Sequence, residues 1–307
     1  MRTAHISDLH LCDRHMPENY EKTRRLLDNI AARDVDHLVI TGDLTHDAQP
    51  RDLYLFRELL KEYGLLSAER TSIVIGNHDL FGGVYLAEDL IRFPQKCRLI
   101  NFDHAVQKFA FAFRETFEDT LRPSDHRFFP FIKILNGLMI IGLNSIARYS
   151  LLTNAAASNG YISNRIIKYL KELFSDPRYR KLPKAVLTHH HFDSIKSKRP
   201  ENNGLYHLIE HHTMRLYGRN RLLNQFKRHH VEVVLHGHVH NNRQYNLNGT
   251  HFLNGGGSVM DNKDGSTKLN IIDWSADQFS INTHSLPDPS VLNIDPLFQP
   301  HLISQYA

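Results

Sequence analysis

Five short polar motifs, each placed directly after a short apolar run, constrain the fold more than any other feature of this sequence. They are Asp8-Leu9-His10, Gly42-Asp43, Gly76-Asn77-His78-Asp79, Thr188-His189-His190-His191 and Gly237-His238-Val239-His240. In an open α/β sheet the carboxyl ends of the strands converge on one crevice, so residues at those ends meet in space. Glycine before the polar residue permits a sharp exit from the strand and a close approach to a ligand. The motifs therefore predict an α/β fold with one functional crevice.

The rest of the chain supplies the strands and helices that this fold needs. The apolar runs predict strands at Arg2–Ser7, His37–Ile40, Thr71–Ile75, Phe131–Leu135, Leu138–Leu143, Ala185–Thr188, Val231–Leu235, Arg243–Leu247, Thr250–Leu253, Lys268–Asp273 and Gln278–His284. Helical spacing of apolar residues predicts helices over Tyr20–Arg33 and Asp52–Glu62, and a third from the N-cap Ser163 to the stop at Pro177. Asn136-Gly137 predicts a tight hairpin turn. Strand–helix alternation followed by β-rich sequence favours a mostly parallel start with antiparallel additions.

Two segments lie outside the motifs. Residues 102–131 hold eight of the 17 phenylalanines, with Phe109, Phe113 and Phe117 four residues apart. This Phe-rich insert is either an amphipathic helix packed on the core, which the spacing favours, or a lid or dimer contact. The tail, 286–307, is punctuated by prolines and is expected to be an extended arm beside a catalytic domain of residues 1–285.

Composition excludes several classes of protein. The hydrophobic fraction of 41% argues against global disorder, and no apolar stretch approaches the ~20 residues of a membrane span. A strand-like run follows Met1 almost at once, which leaves no room for a signal peptide, and Cys12 and Cys97 are too few for a disulfide framework. A cytoplasmic location is expected. The net charge of +4 is spread along the chain and argues against nucleic acid as a partner.

Histidine is the unusual component, with 22 residues, several of them in clusters at the strand ends. The strand-end motifs offer three oxygen donors and four imidazoles: Asp8, Asp43, Asn77, His10, His189, His238 and His240. Such a set exceeds the needs of one ion, and its lack of thiolate favours two ions of Mn, Fe, Zn or Co over Ca or Mg. Alternate side chains at a strand end share a face, so the Asp-x-His and His-x-His pairs can reach one metal cluster.

The ordered set D-x-H, G-D, G-N-H-D, H and G-H-x-H resembles the calcineurin-like metallophosphoesterase superfamily. The flanks His5-Ile6-Ser7 and Val39-Ile40-Thr41 match the usage of that family as well. Within it, Leu143-Asn144-Ser145 and Gly160-Tyr161-Ile162-Ser163 look like the branch near the class III cyclic-nucleotide phosphodiesterases. The resemblance implies a four-layer α/β/β/α sandwich of two mixed sheets flanked by helices.

The resemblance also implies a role for each residue of the motifs. One metal would take Asp8, His10 and His240, and the other Asn77, His189 and His238. Asp43 and a hydroxide would bridge the two ions, and the hydroxide would attack phosphorus.

The resemblance places His78 facing the substrate, where it would protonate the leaving oxygen or stabilise its charge, and Asp79 would orient its ring. His190 remains an alternative to His189 as a ligand. For His46, His191 and Asp193 a solvated loop is favoured over the alternative, a position near the mouth of the site. Surface helix positions are expected for five further histidines, namely His207, His211, His212, His229 and His230.

The function expected on these grounds is a binuclear-metal phosphodiesterase acting on a small phosphoester, with a cyclic nucleotide as one candidate. A phosphomonoesterase or nuclease of the same superfamily and a non-catalytic scaffold are the alternatives. The intact ligand positions and His78 argue against the scaffold. The lipid-A-precursor hydrolases of the superfamily carry Arg in place of His78, which argues against that branch. No membrane partner is expected, and a homodimer remains open.

Overall fold

A computed structural model describes residues 1–84, 87–123, 128–193, 214–260, 265–275 and 278–287 of the chain. Its strands are β1 Arg2–Ile6, β2 His37–Ile40, β3 Thr71–Ile73, β4 Phe131–Leu135, β5 Leu138–Gly142, β6 Gly160–Tyr161, β7 Lys184–Leu187, β8 Leu216–Tyr217, β9 Val233–His236, β10 Arg243–Leu247, β11 Thr250–Asn254, β12 Thr267–Trp274 and β13 Phe279–Leu286. Its α-helices are α1 Glu18–Ala31, α2 Pro50–Glu62, α3 His78–Phe81, α4 Ala87–Leu99, α5 Phe102–Ala112, α6 Asn164–Ser175 and α7 Arg219–Arg228.

Two mixed sheets carry these strands. The first has the order β13-β12-β1-β2-β3, with β1, β2 and β3 parallel and β12 antiparallel to β1. The second has the order β10-β11-β9-β7-β5-β4, with a parallel centre and antiparallel edges. The strands β6 and β8 form a separate parallel pair. The parallel centre with antiparallel additions is therefore confirmed.

Alternating residues of the second sheet face two different cores. Ile140 and Leu187 belong to the core shared with the first sheet, whereas Ile141 and Val186 belong to the core beneath α6 and α7. The first core also takes in apolar side chains of α1 and α2, such as Leu27. Because strand side chains alternate between faces, this division places the two sheets against each other with helices outside both. The four-layer α/β/β/α arrangement is confirmed.

All the predicted strands are present, and none of their ends is shifted by more than two residues. Ser163 caps α6, because its Oγ accepts a hydrogen bond from the Ile166 N–H at 3.3 Å. Asn136 and Gly137 both have positive φ, as a two-residue hairpin turn requires, and they join antiparallel β4 and β5. The strands β6 and β8 were not predicted from the sequence, because a two-residue strand has no detectable period.

The Phe-rich insert packs on the core. Phe109, Phe113 and Phe117 are at most 2% exposed and belong to the core shared by the two sheets. The helix α5 ends at Ala112, and Arg114–Phe117 is a 3₁₀ turn, so the three rings do not share one continuous α-helix. The expectation of a core-packed amphipathic helix is confirmed for residues 102–112.

The expected arm begins at Leu286, which is the last residue of β13, and residues 288–307 lie outside the described part of the chain. The domain boundary there stays a prediction. None of the helices that the structure describes is long and apolar enough to cross a membrane.

Candidate dinuclear metal centre

The five motifs meet where the two sheets present the carboxyl ends of their parallel strands. The first sheet supplies Asp8 and His10 after β1, Asp43 after β2 and Asn77 after β3, while the second supplies His189 after β7 and His238 and His240 after β9. Except for His240, each of these seven residues is at most 5% exposed. The crevice predicted from the motifs thus lies between the sheets and draws on both.

The backbone turns sharply at these strand ends. Asp8, His10, Asp43 and His238 all have positive φ, between 45° and 74°. Non-glycine residues rarely adopt this region, and such conformations concentrate at functional sites where the surroundings hold them. Here the motifs hold one another, because the His10 N–H donates to the Asp43 carbonyl and the His238 N–H donates to the Asp8 carboxylate, both at 3.0 Å.

Glycine is required where the loops cross. A Cβ on Gly76 would overlap the Asp43 backbone nitrogen and carboxylate, and a Cβ on Gly42 would lie 2.7 Å from His189 Nδ1. Gly42 and Gly76 therefore let neighbouring motifs approach one another closely. This role is more specific than the sharp strand exit expected from the sequence.

Asp8, His10 and His240 form the first donor cluster. One ligand atom from each lies within 4.8 Å of the other two. The Nε2 atoms of His10 and His240 are 3.0 Å apart, and His240 Nε2 is 3.7 Å from Asp8 Oδ1. The grouping implied by the resemblance is thus present in the geometry.

Asp43, Asn77, His189 and His238 form the second cluster. The Nε2 atom of His189 lies 3.0 Å from Asn77 Oδ1, 3.1 Å from His238 Nδ1 and 3.2 Å from Asp43 Oδ2. The same Asp43 oxygen is 3.9 Å from His10 Nε2 of the first cluster. Asp43 therefore lies between the two clusters, as a bridging ligand would.

The electrostatics of the crevice favour positive charge beside Asp43. Burial lowers the pKa values of His10 and His238 well below the usual range, so both rings are neutral and offer lone pairs. Burial also acts to lower the pKa of His189, but the Asp43 carboxylate outweighs it and raises that pKa to about 9. The His189 imidazolium thus occupies a position where the carboxylates stabilise a cation.

The neighbouring histidines are distinguished by their contacts. His190 has both ring nitrogens engaged, Nδ1 with Ser145 Oγ at 2.9 Å and Nε2 with the Ser158 carbonyl at 3.2 Å. His189 uses Nδ1 on the Thr41 carbonyl at 2.8 Å, which leaves Nε2 for the donor cluster. The geometry therefore favours His189 over His190 as the ligand.

His78 borders the centre without joining either donor set described above. Its backbone N–H donates to Asp43 Oδ1 at 2.8 Å, and its ring lies edge-on to His10 with centroids 4.7 Å apart. Its Nδ1 is 3.1 Å from the His46 carbonyl. Since a carbonyl can only accept, this contact favours a proton on Nδ1 and leaves Nε2 for another partner.

The expected role of Asp79 in orienting His78 is not what the structure shows. Its Oδ1 accepts from the Thr45 N–H and its Oδ2 from the Gly76 N–H, each at 2.9 Å. Both oxygens thus tie the loop after β2 to the loop after β3. The His46 carbonyl takes the position that Asp79 was expected to occupy, because α3 turns the two adjacent side chains away from each other.

The solvated-loop interpretation is wrong for His46 and His191. His46 is half-buried, and its ring lies 5.2 Å from His78 and 5.6 Å from His10 between centroids. His191 is 5% exposed and stacks on His238 at 6.0 Å. The signal that could have placed His46 is its position three residues after Asp43, within the same strand-end loop.

The remaining histidines and Asp193 are less central. Asp193 is half-buried and forms an ion pair with Arg243 at 2.7 Å. His229 is the C-cap of α7 and His230 follows it, exposed, so both lie at the helix end. The expectation for His207, His211 and His212 falls outside the described residues. Sequence reasoning missed the buried His5, whose Nε2 lies 2.9 Å from the Thr41 hydroxyl next to the His189 contact.

The family model of calcineurin-like phosphoesterases matches residues 1–242 of the chain. The chain therefore belongs to this family of metal-dependent hydrolases of phosphoric esters. No curated protein sequence matches it significantly.

Solved structures share the fold at low sequence identity. A dimetal phosphatase from Danio rerio is 11% identical, with a TM-score of 0.62 over 94% of this chain and 98% of that one. The purple acid phosphatase PPD1 from yellow lupin is 14% identical, with a TM-score of 0.56 over 93% of this chain and 51% of that one. GAP50, the anchor in the inner membrane complex of Plasmodium, is 14% identical, with a TM-score of 0.50 over 94% of this chain and 88% of that one.

The family implies a pair of transition-metal ions, and the residues fit such a pair. Two of the three-residue donor groups in the described part of the chain contain the expected ligands, with four imidazoles and two carboxylates in all, and each brings its ligand atoms within 4.8 Å. A third such group is His10, His46 and His78. Neutral imidazole with carboxylate and amide oxygen suits Mn, Fe, Zn and Co. The His189 contact with Thr41 also fixes which ring nitrogen faces the cluster, as hydrogen-bond partners of metal-ligating histidines do.

Proposed function

We propose that this chain is a phosphodiesterase that hydrolyses a small phosphodiester at a dinuclear centre. The metal ligands are Asp8, His10, Asp43, Asn77, His189, His238 and His240. The observation that carries the proposal is the place of the Asp43 carboxylate, with one oxygen 3.2 Å from His189 Nε2 and 3.9 Å from His10 Nε2. A metal pair, when bound, stabilises negative phosphoryl oxygens and generates a nucleophile from water near neutral pH.

The residues of the chain hold and orient the reacting groups. Asp43 is buried, and burial by itself would raise the pKa of its carboxyl group. The nearby His189 lowers that pKa by more, to well below its usual value, so the bridging carboxylate is ionised. His78 presents Nε2 towards the substrate while the His46 carbonyl fixes its Nδ1. In that position it stabilises or protonates the leaving oxygen.

A diester is favoured over a monoester by the charge around the site. The charged side chains that act most strongly on the Asp8, Asp43 and Asp79 carboxylates are histidines and other carboxylates. Arg243 acts instead on His191 and His236. A dianionic monoester gains more from fixed basic side chains than a monoanionic diester does. The modest net charge of +4 likewise favours a small substrate over a nucleic acid.

The test compares matched substrates on protein reconstituted separately with Mn, Fe and Zn. Bis-p-nitrophenyl phosphate and p-nitrophenyl phosphate share a leaving group, and 3′,5′-cyclic nucleotides are added to the panel. We expect kcat/KM to be at least tenfold higher for the diester. A higher value for the monoester with every metal contradicts the diesterase assignment. If the protein hydrolyses neither ester, the proposed catalysis itself is contradicted.

A further inference from the structure

A cleft of about 870 Å³ lies apart from the proposed metal ligands, none of which lines it. Its walls come from the start of α5, the segment 128–130, the loop 143–154 and the paired strands β6 and β8. Six aromatic side chains contribute to its lining: Phe102, Phe128, Phe129, Tyr149, Tyr161 and Tyr217.

The cleft adjoins the strand end that carries His189. Asn144 lines the cleft, and the next residue, Ser145, accepts a hydrogen bond from the His189 N–H at 3.3 Å. The strands that precede these residues, β5 and β7, are parallel neighbours. Because neighbouring parallel strands end side by side, the cleft and the metal centre lie at the same edge of the second sheet.

Two tyrosines form an aromatic platform in the cleft. Tyr161 of β6 and Tyr217 of β8 are register partners in a parallel pair, so their side chains leave the same face. They are 49% and 45% exposed and both line the cleft. Two adjacent exposed aromatic rings offer a stacking surface to a planar ligand.

The charges in the cleft cancel. Asp103 and Arg148 are the only charged residues in its described lining, and they form a two-point ion pair at 2.6 and 2.7 Å. The Arg148 guanidinium also lies over the Phe102 ring, 4.7 Å from its centroid. The buried hydroxyl of Tyr149 has no hydrogen-bond partner among the described residues. The cleft is therefore suited to an uncharged aromatic group with polar edges, and not to a phosphate.

We propose that the cleft binds the planar aromatic ring of the substrate, such as the nucleobase of a nucleotide ester, and selects aromatic phosphoesters over aliphatic ones. The link to the substrate rests on the proposed function. Binding of the ring itself requires neither a metal nor hydrolysis, so the two proposals can fail separately.

The experiment measures binding of adenosine and of ribose to the full-length protein by isothermal titration calorimetry. Neither probe carries a phosphate. We expect adenosine to bind at least tenfold more tightly than ribose. Tyr161→Ala and Tyr217→Ala should each weaken adenosine binding roughly 5- to 100-fold, the range for loss of one base–aromatic stack. Tyr54→Ala is the matched control, because Tyr54 is 51% exposed on α2 and lies outside the cleft lining.

Three results would overturn the inference. The first is adenosine binding that is no tighter than ribose binding. The second is a loss of binding in Tyr54→Ala as large as the loss in the cleft variants. The third is a dimer in sedimentation that Tyr161→Ala dissociates, which would mean that a second copy of the chain covers the cleft. Hydrolysis of bis-p-nitrophenyl phosphate is measured on the same samples. Tyrosine-dependent adenosine binding without any hydrolysis rejects the proposed function alone.

Discussion

At the scale of single residues, the composition of the centre depends on which ring nitrogens of each histidine remain available once its local hydrogen bonds have formed. His189 gives Nδ1 to the Thr41 carbonyl, and His78 gives Nδ1 to the His46 carbonyl. Each ring therefore keeps Nε2 for the site. His190 has no ring nitrogen left, although it is equally buried. Burial alone does not distinguish a ligand from a structural histidine, but the hydrogen-bond partners do.

This difference gives a matched pair of variants. His189→Ala removes a nitrogen from the second cluster and should reduce the metal content of reconstituted protein by about one ion per chain. His190→Ala should keep both ions and should lower only stability, since its contacts are with Ser145 and Ser158. Elemental analysis of both proteins distinguishes the two. The opposite pattern would make His190 the ligand.

His78 separates metal binding from turnover. His78→Ala should retain both ions and lose roughly 10²–10⁴-fold in kcat, the usual size of a general-acid contribution. The deficit should be smaller for bis-p-nitrophenyl phosphate than for a cyclic nucleotide, since p-nitrophenolate departs without a proton. Undiminished activity would remove the proposed role, and loss of metal would make His78 a ligand.

At the scale of elements, the Phe-rich insert shows how one segment serves both the core and a binding surface. Phe113 lies between the end of α5 and the 3₁₀ turn and is fully buried. Its ring packs edge-on to Phe56 of α2, with centroids 6.1 Å apart. Phe102 at the start of α5 lines the cleft. The spacing of Phe109, Phe113 and Phe117 predicted the buried face, because periodicity reports burial. It could not predict the cleft, whose opposite wall is formed by the two-residue strands β6 and β8.

Phe113 and Phe111 give a test of that burial. Phe113→Ala should lower the free energy of unfolding by about 3–5 kcal/mol, the usual cost of removing a core phenylalanine. Phe111→Ala, two residues earlier in the last turn of α5 and 56% exposed, should change it by less than about 1 kcal/mol. Urea denaturation measures both. Equal effects would mean that the insert is not anchored as described.

Lys133 joins the two sheets and gives stability a pH dependence. Lys133 lies on β4, and its Nζ donates to the carbonyl of Thr71, the first residue of β3, and to the carbonyl of Ala68 just before that strand. Burial lowers the pKa of Lys133 to about 7. The unfolded chain therefore binds more protons than the folded chain between pH ~7 and ~10.4, so stability rises with pH across that window.

Lys133→Met removes this group. The difference in free energy of unfolding, wild type minus variant, should therefore rise between pH 7 and 9 by up to about 1.4 kcal/mol per pH unit. Urea denaturation at several pH values measures it. A difference that is flat or falls with pH would contradict the shifted pKa of Lys133.

At the scale of the whole molecule, two sheets facing each other bring together motifs that are more than 200 residues apart, such as Asp8 and His238. The ordered motifs made this convergence predictable, since each one marks the end of a strand. The contacts of Asp79 and His191 were not predictable, because each depends on how one loop packs against another from a different strand. Sequence spacing defines which loops meet, and packing decides where each side chain points.

The metal content of reconstituted wild-type and Asp43→Asn protein tests the central claim most directly. Asp43 lies between the two donor clusters, so its replacement weakens a ligand of both ions and leaves their mutual repulsion poorly compensated. We expect elemental analysis to find two transition-metal ions per wild-type chain and at most one in Asp43→Asn. One ion per wild-type chain at saturation, or two ions retained in Asp43→Asn, would contradict the dinuclear centre described above.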